Sequence, residues 1–280
     1  MEERYARNIP ALTGAECEIL RQKRVLVVGC GGLGGHIIDQ LARIGVGSIR
    51  VVDGDVFEET NLNRQLLSSV PLLGVNKAKA AADHIGRVNP AVTVEAVEGF
   101  LTEDNADALV AGCDIVMDAL DNIQSRKILA AACERAGIPY IYGAIQGWVA
   151  QAAISMPGED LIGKLFPEEV EIRDKSVLSF TPALCASMQT ALCVKMLTGR
   201  AVETGTIFYF DLLNRNLRRS LWSDLRFRKP VSKQLEQTEQ MNGWRYGGVD
   251  IPCGRWLKGE LRWKCLTNWK YYGAAPFRAC

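Results

Sequence analysis

Apolar residues in the first two thirds of the chain fall into two rhythms. Short continuous runs read as buried strands, and runs spaced three and four apart read as helices. Val25–Val28 is a continuous run, and Gly29, Gly31, Gly32, Gly34 and Gly35 follow it. Leu33, Ile37, Ile38, Leu41 and Ile44 then recur at helical spacing, and Ile49–Val52 is a second continuous run. Further on, 75–88 predicts an alanine-rich helix stopped by Pro90, and Val92–Val97 alternates as a third strand. Residues 103–111 suit a short helix, and 114–120 is a strand apolar enough for burial on both faces. The spacing predicts a helix over 123–136, capped by Gly137, then strands over 140–145 and 149–156 around Gln146-Gly147. Residues 157–180 are charged and irregular and read as a long crossover loop. An apolar helix over 182–197 and a last strand over 206–213 complete the series. Residues 1–23 read as two short helical pieces around Pro10. Strands alternating with helices predict an α/β, Rossmann-like fold. Its sheet is mostly parallel with helices on both faces, and the crossover loop passes over the ligand edge.

Both rhythms fail after about Ser223. The last 58 residues carry 11 Lys+Arg against 5 Asp+Glu, and four of the six tryptophans: Trp244, Trp256, Trp263 and Trp269. Bases could stack on such aromatics. We read the segment instead as a basic, Trp-rich tail, poorly ordered or aberrant. The whole chain has net charge +1, which points neither to nucleic acid nor to a membrane surface. No run of 18 apolar residues appears, and MEERYARN is not a secretory signal, so a cytoplasmic protein is expected. The nine cysteines include no C-x-x-C pair, so free thiols are expected rather than disulfides or zinc.

The chemistry concentrates in 24–64. Strand, glycine turn, helix, strand and a terminal carboxylate, Asp53, make a nucleotide-binding βαβ unit. Asp53 lies 19 residues after Gly34, a spacing that suits ribose hydroxyls. These residues alone leave NAD and ATP both open. The cations that follow suit a triphosphate, whose leaving pyrophosphate needs fixed positive charge. Asp118 and Asp121 stand at the carboxyl end of the fourth strand, where ligands bind in open α/β sheets. Asp121 reads either as the cap of the next helix or as a magnesium ligand. Arg4 and Arg7 share one helix face and read first as solvated, and His84 reads as a surface histidine. Cys185 and Cys193 lie in an apolar helix and read as structural.

Five motifs occur together and in order: G-C-G-G-L-G (29–34), V-V-D-G-D (51–55), N-L-N-R-Q (61–65), G-V-N-K (74–77) and D-A-L-D-N-x-x-S-R (118–126). With R-Y-A-R-N (4–8) before them, the set resembles the ThiF/MoeB/HesA family, relatives of the ubiquitin-activating enzymes, over roughly 4–215. The resemblance implies a ThiF-type ATP-binding domain over 1–222 followed by the tail, 223–280. It implies an adenylyltransferase acting on the C-terminal glycine carboxylate of a ubiquitin-like sulfur-carrier protein that ends in Gly-Gly. By position it implies that Gly29, Gly31, Gly32 and Gly34 form the nucleotide loop and that Asp53 holds the ribose. Asn61, Arg64 and Lys77 would contact the triphosphate. Asp121 would bind Mg2+, with Asn122 beside the nucleotide. Arg7 would reach the site of a partner subunit, so a homodimer is implied. The implied catalytic set is Arg7, Arg64, Lys77 and Asp121.

Two departures from the family stand out. Leu161 and Lys164 occupy the place of a zinc-binding cysteine pair, so no zinc site is expected. No cysteine falls in 157–180, so the acyl-adenylate is the last step expected. Other carboxylates, on a peptide or a modified tRNA base, remain as alternative substrates. An NAD-dependent oxidoreductase is weaker, since no Tyr-x-x-x-Lys or His–Asp set is present.

Overall fold

The computed structural model describes residues 2–167 and 176–221, and the backbone of two short strands at 244–246 and 249–251. The chain divides into two units, Met1–Arg226 and Phe227–Cys280. In the second unit the described residues form one antiparallel pair, Trp244–Tyr246 with Val249–Ile251. The predicted character of the rest of the tail lies outside the described residues.

The first unit is built on an eight-stranded sheet. Its strands are β1 (Arg24–Val28), β2 (Ser48–Val52), β3 (Thr93–Val97), β4 (Ile115–Asp118), β5 (Tyr140–Gln146), β6 (Val149–Ser155), β7 (Thr206–Asp211) and β8 (Asn216–Leu221). They lie in the order β3-β2-β1-β4-β5-β6-β7-β8. The first five are mutually parallel and the last three join antiparallel. The helices are α1 (Gly14–Arg21), α2 (Gly32–Ile44), α3 (Lys77–Val88), α4 (Glu103–Val110), α5 (Ile123–Ala136), α6 (Leu161–Leu165) and α7 (Phe180–Leu197).

The two-residue period of the strands sorts the core into two layers. Val25, Val27, Ile115 and Met117 face α2, α3 and α7, while Leu26, Val28 and Val116 face α4, α5 and α6. Both faces are therefore covered, which is why β1 and β4 are apolar without alternation. The chain runs from β1 through α2 to β2 on one side, then returns to β4 on the other. That reversal opens a crevice above the carboxyl ends of β1 and β4.

Several expectations need correction. The strand expected over 206–213 forms as β7, but it is not the last one: the chain turns at Arg215, in the left-handed region at φ 55°, into a further strand, β8. The exposed sequence N-L-R-R-S-L lacks both apolar alternation and β-branched residues, so β8 left no pattern to read. The crossover segment contains α6, capped by the Asp160 carboxylate, which accepts from Gly163 N. Beyond the undescribed residues, Gly147 N donates to Ser176 O at 2.7 Å beside the β5–β6 turn. His84 is not a free surface group. It bridges α3 to α2, with Nε2 2.8 Å from Asp39 Oδ1. Arg4 is not simply solvated either, since its guanidinium donates to Asn89 Oδ1 at 2.6 Å.

Candidate functional site

A cavity of about 340 Å3 opens at the crevice. The glycine loop lines it with Gly29, Gly31 and Gly32, β2 contributes Asp53, and the following segments contribute Arg64 and Lys77. Asp121 and Asn122 close it from the end of β4. A second cavity, about 550 Å3 between α5 and α6, is lined by none of the predicted residues.

The glycines act at two scales. Gly29 has φ 95°, and a Cβ there would stand 2.5 Å from Ala119 O, so only glycine lets β1 turn off beside β4. A Cβ on Gly34 would stand 1.7 Å from Gly29 O. Gly34 is thus the contact that lets α2 start directly above β1, and it supports the cavity from beneath rather than lining it. Gly31 caps α2 without a side chain, so the first-turn N–H groups face the cavity with no intrahelical partner.

Asp53 is held from both sides. Its Oδ2 accepts from Cys30 N at 2.7 Å and its Oδ1 from Asp55 N at 2.8 Å. Burial pushes its carboxyl above the usual range, against these hydrogen bonds and Lys77. Lys77 opens α3, which Asn76 caps through Ala78 N and Lys79 N. The Lys77 side chain is buried, and its Nζ meets Asp55 Oδ2 at 3.2 Å. Arg64 Nη1 donates to Thr60 O and Asn63 Oδ1, both at 2.9 Å. Asn61 is buried with Oδ1 accepting from Glu58 N, and its carbonyl accepts from Arg64 N. Asn61 therefore shapes the turn that carries Arg64 and stands outside the cavity lining.

The helix cap is Asn122, not Asp121. Asn122 Oδ1 accepts from Ser125 N at 2.8 Å, which leaves the exposed Asp121 carboxylate with one long contact, 3.4 Å from Asn122 Nδ2. Asp118 is no ligand-edge carboxylate. It is fully buried and ion-paired with Arg126 Nη1 at 2.5 Å. Tyr140 OH and Leu120 N also donate to it, at 2.5 and 2.9 Å. Arg126 further donates to Gly143 O at 2.8 Å and to Leu120 O, while Gln189 Nε2 donates to Asp118 O. This network anchors the turn that presents Asp121. Motif spacing placed Arg126 near it, but no sequence signal pointed to Tyr140 or Gln189. Burial raises the Asp118 carboxyl, opposed by Arg126, Tyr140 and Leu120.

Arg7 is not in this cavity. It lies on a 3-10 turn, Glu3–Asn8, whose Tyr5 ring packs against Gly45 at the carboxyl end of α2. The glycine loop is at the other end of that helix. Thirteen residues separate the two ends by roughly 20 Å, beyond the reach of one arginine. Cys185 is buried in α7, its Sγ 3.1 Å from Gln151 O, and burial pushes its thiol up to about 12. It is inert as a nucleophile at neutral pH. Leu161 is buried at the start of α6, and Lys164 Nζ donates to Glu159 O.

The sequence matches the ThiF family model over residues 5–233. It is 38% identical over 198 residues to the SAMP-activating enzyme E1 of Haloferax volcanii, covering 68% of this chain and 73% of that protein. It is 34% identical over 230 residues to a probable adenylyltransferase/sulfurtransferase MoeZ of Mycobacterium tuberculosis. That alignment covers 77% of this chain but 58% of the relative's length. The Escherichia coli MccB structure solved with ATP matches with a TM-score of 0.68 at 22% identity. It covers 82% of this chain and 73% of that one, a likeness of fold.

Proposed function

The chain belongs to the ThiF family and is an adenylyltransferase of the ubiquitin-activating type, and from that premise we propose its reaction. It adenylates the C-terminal glycine carboxylate of a ubiquitin-like sulfur-carrier protein ending in Gly-Gly, with ATP as donor. The observation that carries this is the convergence of a glycine loop, a carboxylate at a strand end, Arg64, Lys77 and Asp121 on one cavity.

The reaction needs no general base. A carboxylate oxygen forms a bond to the α-phosphorus of ATP, and the bond from that phosphorus to the pyrophosphate oxygen breaks. The products are an acyl-adenylate and pyrophosphate. The protein's work is alignment and charge neutralisation. Asp53 accepts from the ribose hydroxyls. The open N–H groups of α2 face the phosphates, and Lys77 and Arg64 meet the charge on the leaving group. Arg64 must release Thr60 O and Asn63 to do so.

Asp121 suits magnesium, which takes one or two carboxylates and fills its other positions with water and phosphate oxygens. Its carboxylate is exposed and almost unengaged, the condition such a ligand needs. When bound, the ion would neutralise phosphate charge. Arg7, too far from the cavity of its own chain, would serve a second copy, which makes the working unit a homodimer. With no cysteine in 157–180 and the Cys185 thiol pushed up by burial, a separate sulfur nucleophile takes over the acyl-adenylate.

The test is magnesium-dependent ATP–pyrophosphate exchange across a panel of Gly-Gly carriers, with wild type and Asp121→Ala. Exchange that requires one carrier and falls about 100-fold or more in the variant is expected. ATP binding without exchange for any carrier would redirect the search to a peptide or tRNA carboxylate.

A further inference from the structure

We propose that Phe100 is the surface on which the base of the bound nucleotide stacks, an inference that rests on the reading of the cavity as an ATP site. Phe100 follows β3 and lines the cavity beside Gly99 and Leu101. It is 64% exposed. A lone exposed apolar residue is ordinary on a protein surface. Three features set this one apart.

First, its ring lies directly on the Gly54 backbone. A Cβ at position 54 would stand 2.7 Å from two ring carbons, so no side chain fits between them. Second, Gly54 is the residue after Asp53, the carboxylate assigned to the ribose. A base joined to that ribose therefore emerges beside the ring. Third, the main chain that carries the ring is held in place. Phe100 O accepts from Asn105 Nδ2 at 2.9 Å, and Asn105 also closes the capping box that starts α4 with Thr102. Among the described residues Phe100 has no aromatic partner, the one ring pair being Trp148 with Phe180. One edge of the ring is thus fixed against backbone, and the rest is presented to the cavity.

An aromatic face recognises the π surface of a base without reading its hydrogen-bonding edge. Recognition at Phe100 therefore favours purine over pyrimidine nucleoside triphosphates by overlap, and discriminates weakly between adenine and guanine.

The experiment is calorimetric titration of the full chain with an α,β-methylene analogue of ATP and, separately, with inorganic tripolyphosphate. Wild type, Phe100→Ala and Phe100→Trp are compared. For Phe100→Ala the nucleotide dissociation constant should rise about 5- to 100-fold, while tripolyphosphate affinity stays at the wild-type value. Phe100→Trp should keep or tighten nucleotide binding. Unchanged nucleotide affinity in Phe100→Ala would overturn the platform and leave the ATP site standing. So would an equal loss for nucleotide and tripolyphosphate, which marks a general disturbance of the cavity. If wild type binds no nucleotide, the reading of the cavity fails and the platform with it.

Discussion

Replacing Arg126 by methionine tests the anchor beneath the cavity. Methionine keeps the apolar stem of the side chain but ends short of the guanidinium, so the change removes the charged head and leaves its space open. Its loss removes three hydrogen bonds, to Asp118, Gly143 O and Leu120 O. Asp118 then sits fully buried with only Tyr140 OH and Leu120 N as donors. Breaking a buried pair by deleting one partner costs about 3–5 kcal/mol, mostly from the charge left behind. The two orphaned carbonyls alone would cost about 1–3 kcal/mol each if no water reached them. We therefore expect a loss of about 3–5 kcal/mol at pH 7, read from urea unfolding with an unchanged slope. The pH dependence identifies the cause. The wild-type Asp118 carboxyl already lies above its usual range because of burial, so its ionisation costs stability as the pH rises. Without Arg126 it moves higher still. Below both values the proton is bound in both proteins, so the deficit of the variant should shrink as the pH falls toward the ordinary carboxylate range. The double variant with Asp118→Asn should lose less than Arg126→Met alone. A loss under about 1 kcal/mol, far below the range for a broken buried pair, or one independent of pH, would refute the reasoning.

Other predictions address the frame and the assembly. Gly34→Ala puts a methyl where Gly29 O stands 1.7 Å away, so α2 must shift. Calorimetry or urea unfolding should show about 1–3 kcal/mol of destabilisation, with weakened ATP binding. Arg200 hydrogen bonds and the Thr13 N–H hold the Glu16 carboxyl at about 2, against an ordinary 4.5. A lowered value stabilises above the unfolded pKa and is lost as pH falls. The melting temperature of Glu16→Gln should thus trail wild type at pH 7 and converge with it between pH 4.5 and 2. Arg7→Ala and Asp121→Ala should each abolish exchange, yet mixing the two should restore roughly a quarter of the sites, because one site of each heterodimer is intact. No recovery on mixing would remove the dimeric site.

The βαβ unit was legible because each signal in it is local. The apolar run of β1, the 3.6-residue spacing of α2 and the glycines between them lie within one short segment and need no distant partner. The family motifs reach further: of the residues they imply for the nucleotide, Asp53, Arg64, Lys77, Asp121 and Asn122 line one cavity, while Asn61 does not. Some things only the folded chain decided. Asp118 and Asp121 are three residues apart and alike in sequence. One ends β4 beneath Arg126 and Tyr140, and the other lies beyond the strand and faces the cavity. Helix α5 is capped by Asn122 rather than Asp121, a one-residue shift that frees the Asp121 carboxylate. β8 forms because β7 offers it an edge, not because its own residues favour a strand. Phe100 meets Gly54 only because β3 lies in parallel register beside β2. Periodicity reports which face of an element is apolar, and that is a property of neighbours along the chain. Which residues from distant segments share a cavity, and which charges lose water, depends on strand order and register. Those are set by the packing of the whole sheet, so they appear only in three dimensions.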